Sequence, residues 1–375
     1  MPNSSDISET QILLDYGEEI CGLLLLDQTT RKNIYWATDS YEKMGEGYSF
    51  FDEIRIDRIT GDNDKVIRPR AVKSKEEQTQ RAKDKAEVFT PSWICNAQNN
   101  LIDEAWFGRK DVFNSPDPKH PHKWIDNKEK IEFPEDKTWK DYVADTRLEI
   151  TCGEAPYLCN RYDAVTGKYN RNVKFRIGLL DRKLRVVSEN AKDSKEWILW
   201  AKIALRATYG FEWQGDNLLL AREAVFFTFI EHYIAQFGEK KFNINKSRMM
   251  GDVAYIISWN LWQMDGLTFG LPGHEEEMKN RKQRDEQYQA KLKEYEKQLR
   301  ERKSLSKNDM FGFDQIDISE LVKPESETVL PFEQYCLIKD FLYGVNLKKA
   351  TLKALDFHDK KAPKQTFESL VNNKK

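Results

Sequence analysis

The sequence is poor in the residues that build disulfide frameworks and metal centres. Its 375 residues include five cysteines and five histidines. No two cysteines form a Cys-x-x-Cys pair, so the pattern predicts neither a disulfide framework nor a zinc cluster. Only His120 and His122 lie close together, in a proline-rich stretch, which is a weak basis for a metal site. We therefore expect reduced thiols and no bound metal.

Long apolar runs are also missing, and no leader segment is predicted. A membrane-spanning helix needs about 20 consecutive apolar residues, and no run approaches that length. The first residues, Met-Pro-Asn-Ser-Ser-Asp, contain no basic segment followed by an apolar one, so no secretory signal is predicted. The mean hydropathy of -0.74 and the 33% of charged residues indicate an ordinary globular chain. These features predict a cytoplasmic protein.

The patterns along the chain change at three points. Strand-like and helical stretches alternate in the central part, which predicts an α/β fold. The predicted segments are a small α+β N-terminal unit at 1–85, a core at 86–271, a charged helical insertion with a linker at 272–330, and a terminal strand with a basic tail at 331–375.

The N-terminal unit contains short apolar runs separated by turn-forming residues. Gly22–Leu26 and Asn33–Ala37 flank a polar stretch and predict a β-hairpin. Phe51–Asp57 alternates apolar and charged residues and predicts a further strand. Lys73–Lys85 is strongly charged, without apolar residues at helical spacing, and predicts a solvated helix or a linker.

The core begins with a helix-start signal. Thr90 or Ser92 can cap a helix that has Pro91 in its first turn and continues to about Trp106. The following stretch, 111–136, contains four prolines and is predicted to be a loop.

A short apolar stretch that begins at Arg147 is followed by the turn-forming sequence Cys-Gly-Glu-Ala-Pro. This pattern predicts a buried strand whose carboxyl end opens onto a ligand crevice. Gly153 would let the backbone come close to a nucleoside ligand, because glycine has no side chain. Glu149 would supply a carboxylate for a cationic amine.

Two later stretches repeat the order of strand, acidic residue and turn or helix. Tyr209–Glu212 precedes a long apolar helix at Asp216–Phe237, and Tyr255–Asp265 is a third candidate. Helices are predicted between the first two strands at 176–190 and 194–208. Because the carboxyl ends of parallel strands meet at one edge of a sheet, the acids of all three strands should lie together there. These acids are Glu149, Glu212 and Asp265.

The clearest helix signal covers Glu275–Lys303, which has no glycine or proline. Its apolar residues form a narrow seam and predict a hairpin or coiled-coil partner. The seam residues are Tyr288, Leu292, Tyr295 and Leu299. The net charge of -2 argues against binding nucleic acid through bulk charge, but the lysines and arginines of this helix leave contact with DNA phosphates open beside a solvated structural role. Phe332–Leu342 predicts a further strand.

Four short motifs resemble those of S-adenosylmethionine-dependent, adenine-specific DNA methyltransferases of restriction-modification systems, the type called restriction endonuclease M subunits. The resemblance covers roughly residues 80–270. Its motifs, in the family's order, are Ala86-Glu-Val-Phe-Thr-Pro91, Leu148-Glu-Ile-Thr-Cys-Gly-Glu-Ala-Pro-Tyr-Leu158, Tyr209-Gly-Phe-Glu212 and Asn260-Leu-Trp-Gln-Met-Asp-Gly-Leu267.

The resemblance implies a Rossmann-like methyltransferase fold in the core and S-adenosylmethionine as the cofactor. By this resemblance Glu212 accepts hydrogen bonds from the ribose hydroxyls, and Asp265 accepts one from the adenine amine. Glu149 would hold the ammonium of the methionine end, and Phe89 or Trp213 would stack on the ligand. The implied cofactor-binding residues are Phe89, Thr90, Pro91, Glu149, Cys152, Gly153, Glu212, Trp213 and Asp265.

The sequence departs from the family at two places. Ala155 stands where the family's loop has a second glycine, and Pro156 follows it, which should stiffen the turn. The family grips a flipped adenine with a polar residue followed by Pro-Pro and an aromatic residue, but this chain has no Pro-Pro dipeptide. The nearest string, Ser115-Pro-Asp-Pro118, lies upstream of the cofactor loop. The catalytic residues therefore stay unassigned.

These departures leave two functional hypotheses. The chain is either the cofactor-binding part of a methyltransferase whose partner subunit carries the catalytic segment and the target-recognition domain, or a catalytically inactive binding or assembly module of a restriction or defence complex. A weaker alternative is a metal-dependent nuclease centre built from Asp52, Glu53 and Asp57 near the charged stretch 73–85.

Overall fold

A computed structural model describes residues 7–28, 30–85, 87, 89–266, 270–273, 283 and 286–301, together with two short strands at 353–354 and 365–366. The chain divides into two compact units. One comprises Met1–Pro272 with Tyr335–Lys375, and the other comprises Gly273–Gln334.

The first unit is rich in helices. Its described α-helices are α1 (Glu9–Tyr16), α2 (Glu18–Leu25), α3 (Ile56–Ile59), α4 (Lys75–Lys85), α5 (Ser92–Phe107), α6 (Trp139–Ala144), α7 (Leu179–Asn190), α8 (Ser194–Arg206), α9 (Gly215–Phe237) and α10 (Glu239–Asn260). No helix in the described ranges is both long enough and apolar enough to cross a lipid bilayer.

Three parallel strands form the sheet that positions the site. Their order is β3-β4-β5, and the register pairs Glu149 with Gly210 and Gly210 with Leu261. Two short antiparallel pairs lie elsewhere in the unit. The strands are β1 (Asn114–Pro116), β2 (Trp124–Asp126), β3 (Arg147–Ile150), β4 (Thr208–Glu212), β5 (Leu261–Gln263), β6 (Lys353–Ala354) and β7 (Gln365–Thr366). The described architecture is therefore mixed α/β, with many helices and a small parallel sheet.

Helical crossovers join the three parallel strands, as parallel pairing requires. Helices α7 and α8 connect β3 to β4, and α9 and α10 connect β4 to β5. Helix α9 is buried from Gly215 to Tyr233, because apolar residues occupy all its sides. In the sheet, the Trp262 ring stacks on Tyr209 with ring centroids 5.7 Å apart. This packing fixes the strand ends where the acidic residues lie.

The hairpin and the strand predicted in the N-terminal unit are wrong. Gly22–Leu26 falls mostly in α2, which packs against α9 and α10, and only a bridge between Leu26 and Asn33 remains of the hairpin. A short apolar run is compatible with either a strand or a buried helix. Here the tertiary contacts stabilise the helix. The predicted strand at Phe51–Asp57 is a bend that runs into α3, with a single bridge from Glu53 to Tyr35.

The predicted helix at the charged stretch is confirmed as α4, but it is not fully solvated, since Arg81 is 6% exposed. Helix α5 is also confirmed, although its predicted cap is wrong. Pro91 is the N-cap residue and supplies no side-chain hydrogen bond; the Ser92 N–H instead donates to Oδ2 of Asp163, at 2.8 Å. The predicted loop at 111–136 contains the hairpin of β1 and β2.

The later elements of the core follow the prediction more closely. Helices α7, α8 and α9 and strands β3 and β4 lie where the sequence places them, within a few residues. The third strand candidate, Tyr255–Asp265, is correct only at Leu261–Gln263, because α10 continues to Asn260.

The described part of the second unit is helical at residues 283 and 286–301, as predicted. In 286–301 the four seam residues are half-buried and the others are exposed. This segment has four basic and four acidic residues, so it has no excess of positive charge. The other residues of the predicted helix, including Arg281, Lys282 and Arg284, and the predicted strand at Phe332–Leu342 lie outside the described residues.

Candidate functional site

The three acids predicted from the sequence meet at the carboxyl edge of the parallel sheet. Glu149 lies in β3, Glu212 ends β4, and Asp265 follows the end of β5 by two residues. All three line one cavity of about 400 Å³. This volume is within the range of roughly 300–1,000 Å³ that is usual for small-molecule sites.

The cavity also collects most of the other residues that the sequence implied. Pro91 is the exception, since it caps α5 and does not line the cavity. The implied residues that line it are Phe89, Thr90, Glu149, Cys152, Gly153, Glu212, Trp213 and Asp265. These residues come from four separate stretches of the chain, and the fold brings all four together.

The loop after β3 forms the floor of the cavity through an unusual backbone. Thr151, Gly153 and Ala155 all have left-handed φ angles, of 56°, 53° and 60°. A β-carbon at Gly153 would lie 3.4 Å from the Phe89 ring, so glycine provides both the backbone angle and the close approach. Ala155 adopts the left-handed conformation that a glycine would favour, and its N–H donates to the Cys152 carbonyl at 2.7 Å.

Glu212 is fixed by two backbone donors. Oε2 accepts a hydrogen bond from the Gly153 N–H at 2.8 Å, and Oε1 accepts one from the Gln214 N–H at 3.0 Å. Burial nevertheless raises the pKa of Glu212 to about 7. The carboxyl group therefore titrates near neutral pH when the cavity holds no ligand.

Glu149 is also costly to ionise. Its side chain is 9% exposed, and Oε2 has no hydrogen-bond partner in the described part of the chain. Burial raises the pKa of Glu149 well above its ordinary value, and the nearby charge of Glu212 raises it further. A cationic group in the cavity would offset both effects, because it would neutralise the charge and pair with the free oxygen.

Asp265 stands on a short loop at the end of the third strand. Its backbone N–H donates to the Gly270 carbonyl at 3.0 Å, and its side chain is half-buried. At Gly266, an added β-carbon would lie 2.6 Å from Cγ2 of Ile150. The loop therefore needs glycine there to pack against the end of β3, which brings Asp265 to the cavity.

Several buried residues of the lining were missed from the sequence, among them Glu87 and Asn217. Glu87 is 7% exposed and pairs with Arg81, while its Oε1 has no hydrogen-bond partner among the described residues. Asn217 is 2% exposed and lies in the first turn of α9. Glu87 immediately precedes the Val-Phe-Thr-Pro sequence, and this proximity to a predicted motif could have identified it as a site residue. Asn217 gave no signal, since a polar residue near a helix start is common.

The charges of the lining define what the cavity can bind. Four of its residues are acidic, and none of the lining residues in the described chain is lysine, arginine or histidine. Carboxyl groups attract cations when they ionise and supply no positive charge for a phosphate group, so the lining favours a cationic ligand over a phosphorylated one. The four acids are Glu87, Glu149, Glu212 and Asp265.

The nuclease alternative finds no support in the described residues. Asp52 accepts a hydrogen bond from the Ser49 N–H, and Glu53 accepts one from the Asn33 N–H. Within the described ranges, no group of three or more histidine, cysteine, aspartate or glutamate residues is arranged to hold a metal ion.

Comparisons of the chain with protein-family models, curated proteins and solved structures found no match.

Proposed function

We propose that the cavity binds S-adenosylmethionine. We further propose that the chain is the cofactor-binding subunit of an adenine-specific DNA methyltransferase of a restriction-modification system. In this role it acts with a partner subunit that carries the catalytic segment and the target-recognition domain. A DNA-modifying role of this kind would be exercised in the cytoplasm.

One observation carries the proposal. Eight of the nine residues that the family resemblance implies, from four separate motifs, line a single cavity of about 400 Å³. The four motifs lie far apart in the sequence, and the fold brings them to one cavity. Their convergence is the arrangement that a common ligand would need.

The chemistry of the lining supports the same ligand. The adenosine part of S-adenosylmethionine presents two ribose hydroxyls and an exocyclic amine as donors, and ionised carboxylates are pure acceptors. Its methionine end carries an ammonium and a sulfonium, and both positive charges suit an acidic cavity. The ligand has no phosphate. Phe89 and Trp213 supply aromatic surface for the adenine.

The order of the sheet supports a Rossmann-like methyltransferase fold. Strands β3, β4 and β5 are adjacent and parallel, they follow one another along the chain, and each ends beside an acid of the cavity. Ligands of open α/β sheets bind outside the carboxyl ends of the strands, where this cavity lies.

Ligand selectivity tests the proposed cofactor. In calorimetric titrations of the full chain, we expect S-adenosylmethionine to bind and ATP to bind at least about tenfold more weakly, because its phosphates would face the four carboxylates. Adenosine is the matched control, since it shares the base and sugar of both ligands. Absence of S-adenosylmethionine binding by the folded chain, or a preference for ATP, would refute the proposal.

A second test concerns catalysis. Positioning of the target amine in line with the methyl group supplies several kcal/mol of the rate enhancement in such reactions, roughly 7–11 kcal/mol at most. The motif that grips the flipped adenine is missing from this sequence. We therefore expect only background transfer of labelled methyl groups to duplex DNA by the chain alone, with activity restored by a partner that carries a Pro-Pro-aromatic segment.

The result with such a partner separates the two functional hypotheses. Restored methylation identifies a split enzyme. Cofactor binding without methylation in the reconstituted complex identifies the alternative, a catalytically inactive binding or assembly module. Robust methylation by the lone chain would contradict both hypotheses.

A further inference from the structure

Asn217 combines three features that an ordinary structural residue lacks. It lines the cavity, it is 2% exposed, and its side-chain oxygen Oδ1 has no hydrogen-bond partner within the described chain. A buried polar atom without a partner costs roughly 1–3 kcal/mol. Such a group calls for an explanation, and at a cavity wall a bound ligand supplies one.

The start of α9 holds Asn217 in a fixed position. The neighbouring Asp216 accepts hydrogen bonds from Tyr41 and pairs with Arg81, both at 2.8 Å. The Asn217 N–H donates to Oδ1 of Asp216 at 2.9 Å. These contacts fix the backbone of Asn217 at the start of α9, beside the cavity.

Asn217 also lies close along the chain to the acid that ends β4. The N–H of Gln214 donates to Oε1 of Glu212, and α9 begins at the next residue, Gly215. Asn217 lies within the first turn of that helix. Glu212 and Asn217 thus line the cavity from the two ends of the short connection between β4 and α9.

Both side chains offer the cavity a hydrogen-bond acceptor. An ionised carboxylate can only accept, and the oxygen of a side-chain amide accepts as well. A ribose presents two neighbouring hydroxyl protons, and each of them needs an acceptor. Glu212 and Oδ1 of Asn217 can supply one acceptor each.

We propose that Asn217 is a specificity residue of the cavity, whose side-chain oxygen Oδ1 accepts a hydrogen bond from one ribose hydroxyl while Glu212 accepts one from the other. This inference rests on the proposed nucleoside function and assigns the sugar recognition within it. A ligand that lacks the hydroxyl leaves the buried amide unpaired and is therefore bound more weakly.

The experiment combines one substitution with three ligands. The full chain and its Asn217→Ala variant are titrated with adenosine, 2′-deoxyadenosine and 3′-deoxyadenosine. We expect Asn217→Ala to weaken adenosine binding about tenfold, as for the loss of one hydrogen bond from a buried site. For one of the two deoxyadenosines, the loss of affinity relative to adenosine should be about tenfold smaller in the variant than in the wild type. The reason is that the variant lacks the side chain that contacts the missing hydroxyl.

Thermal unfolding of the unliganded proteins distinguishes a binding role from a structural one. Because Asn217→Ala removes an unpaired buried group, we expect a Tm equal to or above that of the wild type. The matched control is Gln236→Ala, an exposed amide at the other end of α9, which should leave binding unchanged. A lower Tm for Asn217→Ala, or an undiminished hydroxyl penalty, would overturn the inference.

The outcomes also separate this inference from the function on which it rests. Binding of adenosine by both proteins with equal affinity would refute the role of Asn217 and leave the proposed cofactor site standing. If the folded wild type binds neither adenosine nor S-adenosylmethionine, the proposed function fails, and this inference fails with it.

Discussion

Replacing Glu231 by alanine is expected to lower the free energy of unfolding by about 3–5 kcal/mol, because it would leave two buried cations unpaired. Glu231 lies on α9 and is 7% exposed. It pairs with Arg161 at 2.8 Å and with Arg176, and it accepts a hydrogen bond from the Tyr169 hydroxyl at 3.0 Å. Both arginines are almost completely buried, so water cannot take the place of the carboxylate.

The same cluster predicts how this stability changes with pH. Burial tends to raise the pKa of Glu231, but Arg161 and Arg176 outweigh it and lower the pKa to about 2. A carboxyl whose pKa is lower in the folded state than in the unfolded state stabilises the protein fully above the unfolded pKa, roughly 4.3 for glutamate. Its contribution is lost as the pH falls towards 2. The difference between wild type and Glu231→Ala should therefore shrink over that interval.

Urea denaturation of the full chain, followed by circular dichroism, measures both effects. The matched control is Asp252→Ala, which removes the acid of an exposed ion pair with Lys202. Because exposed ion pairs contribute about 0–1 kcal/mol, this substitution should change the midpoint little. Equal losses for the two variants would show that the buried cluster is not needed for stability.

This cluster illustrates what the sequence could not predict. Its charged residues come from α9 and from the segment between β3 and α7, and no local pattern links them. In a chain with 33% charged residues, a sequence cannot show which of them will be buried. The same holds for Arg81, whose pairing with Asp216 fastens α4 to the start of α9.

The predictable part of the fold was the part governed by local pattern. Strand β3 is a short run that contains an acid, β4 is a short apolar run that ends in one, and α9 is too long and too apolar to be anything but a buried helix. The prediction for the N-terminal segment failed because the path of its backbone depends on contacts with residues that are distant in the sequence. Gly215 shows this dependence, since an added β-carbon there would lie 1.9 Å from the Tyr35 carbonyl oxygen.

The candidate site was predictable for a related reason. Glu149 and Glu212 were identified because acids at the ends of parallel strands must converge, whatever the rest of the fold does. Asn217 and Glu87 could not be found in this way. These two residues stand out because they are buried and lack a full set of hydrogen bonds. This feature is visible only in the folded structure.

The largest expected effect on binding follows from the protonation of Glu212. Ligand affinity should increase as the pH rises to about 7 and level off above it, because the hydroxyl donors of a nucleoside need the ionised, acceptor-only carboxylate. With a pKa of about 7, the unliganded protein must release a proton before it binds at lower pH. The linkage reduces affinity up to tenfold for each pH unit below that value, or about 30-fold at pH 5.5.

The ligand for this measurement should not titrate in the same range. S-adenosylmethionine carries an α-amino group, whose pKa of roughly 7.7–8.0 would obscure the change. Its ammonium would also engage Glu149, whose pKa is raised as well. Methylthioadenosine has the same base and sugar without the amino acid, so its affinity between pH 5.5 and 8 reports on Glu212 more directly.

Substitution identifies the titrating group. Glu212→Gln removes the charge, so we expect binding to be weaker by about 1–3 kcal/mol at pH 8 and nearly independent of pH. The matched control is Glu154→Gln. Glu154 is a buried glutamate in the same loop as Gly153, where it accepts hydrogen bonds from the Arg70 N–H and the Tyr162 hydroxyl and does not line the cavity. That variant should keep the pH dependence of the wild type. If the pH dependence of binding survives Glu212→Gln, the proton belongs to another group. Glu212 would then not be a residue that contacts the ligand.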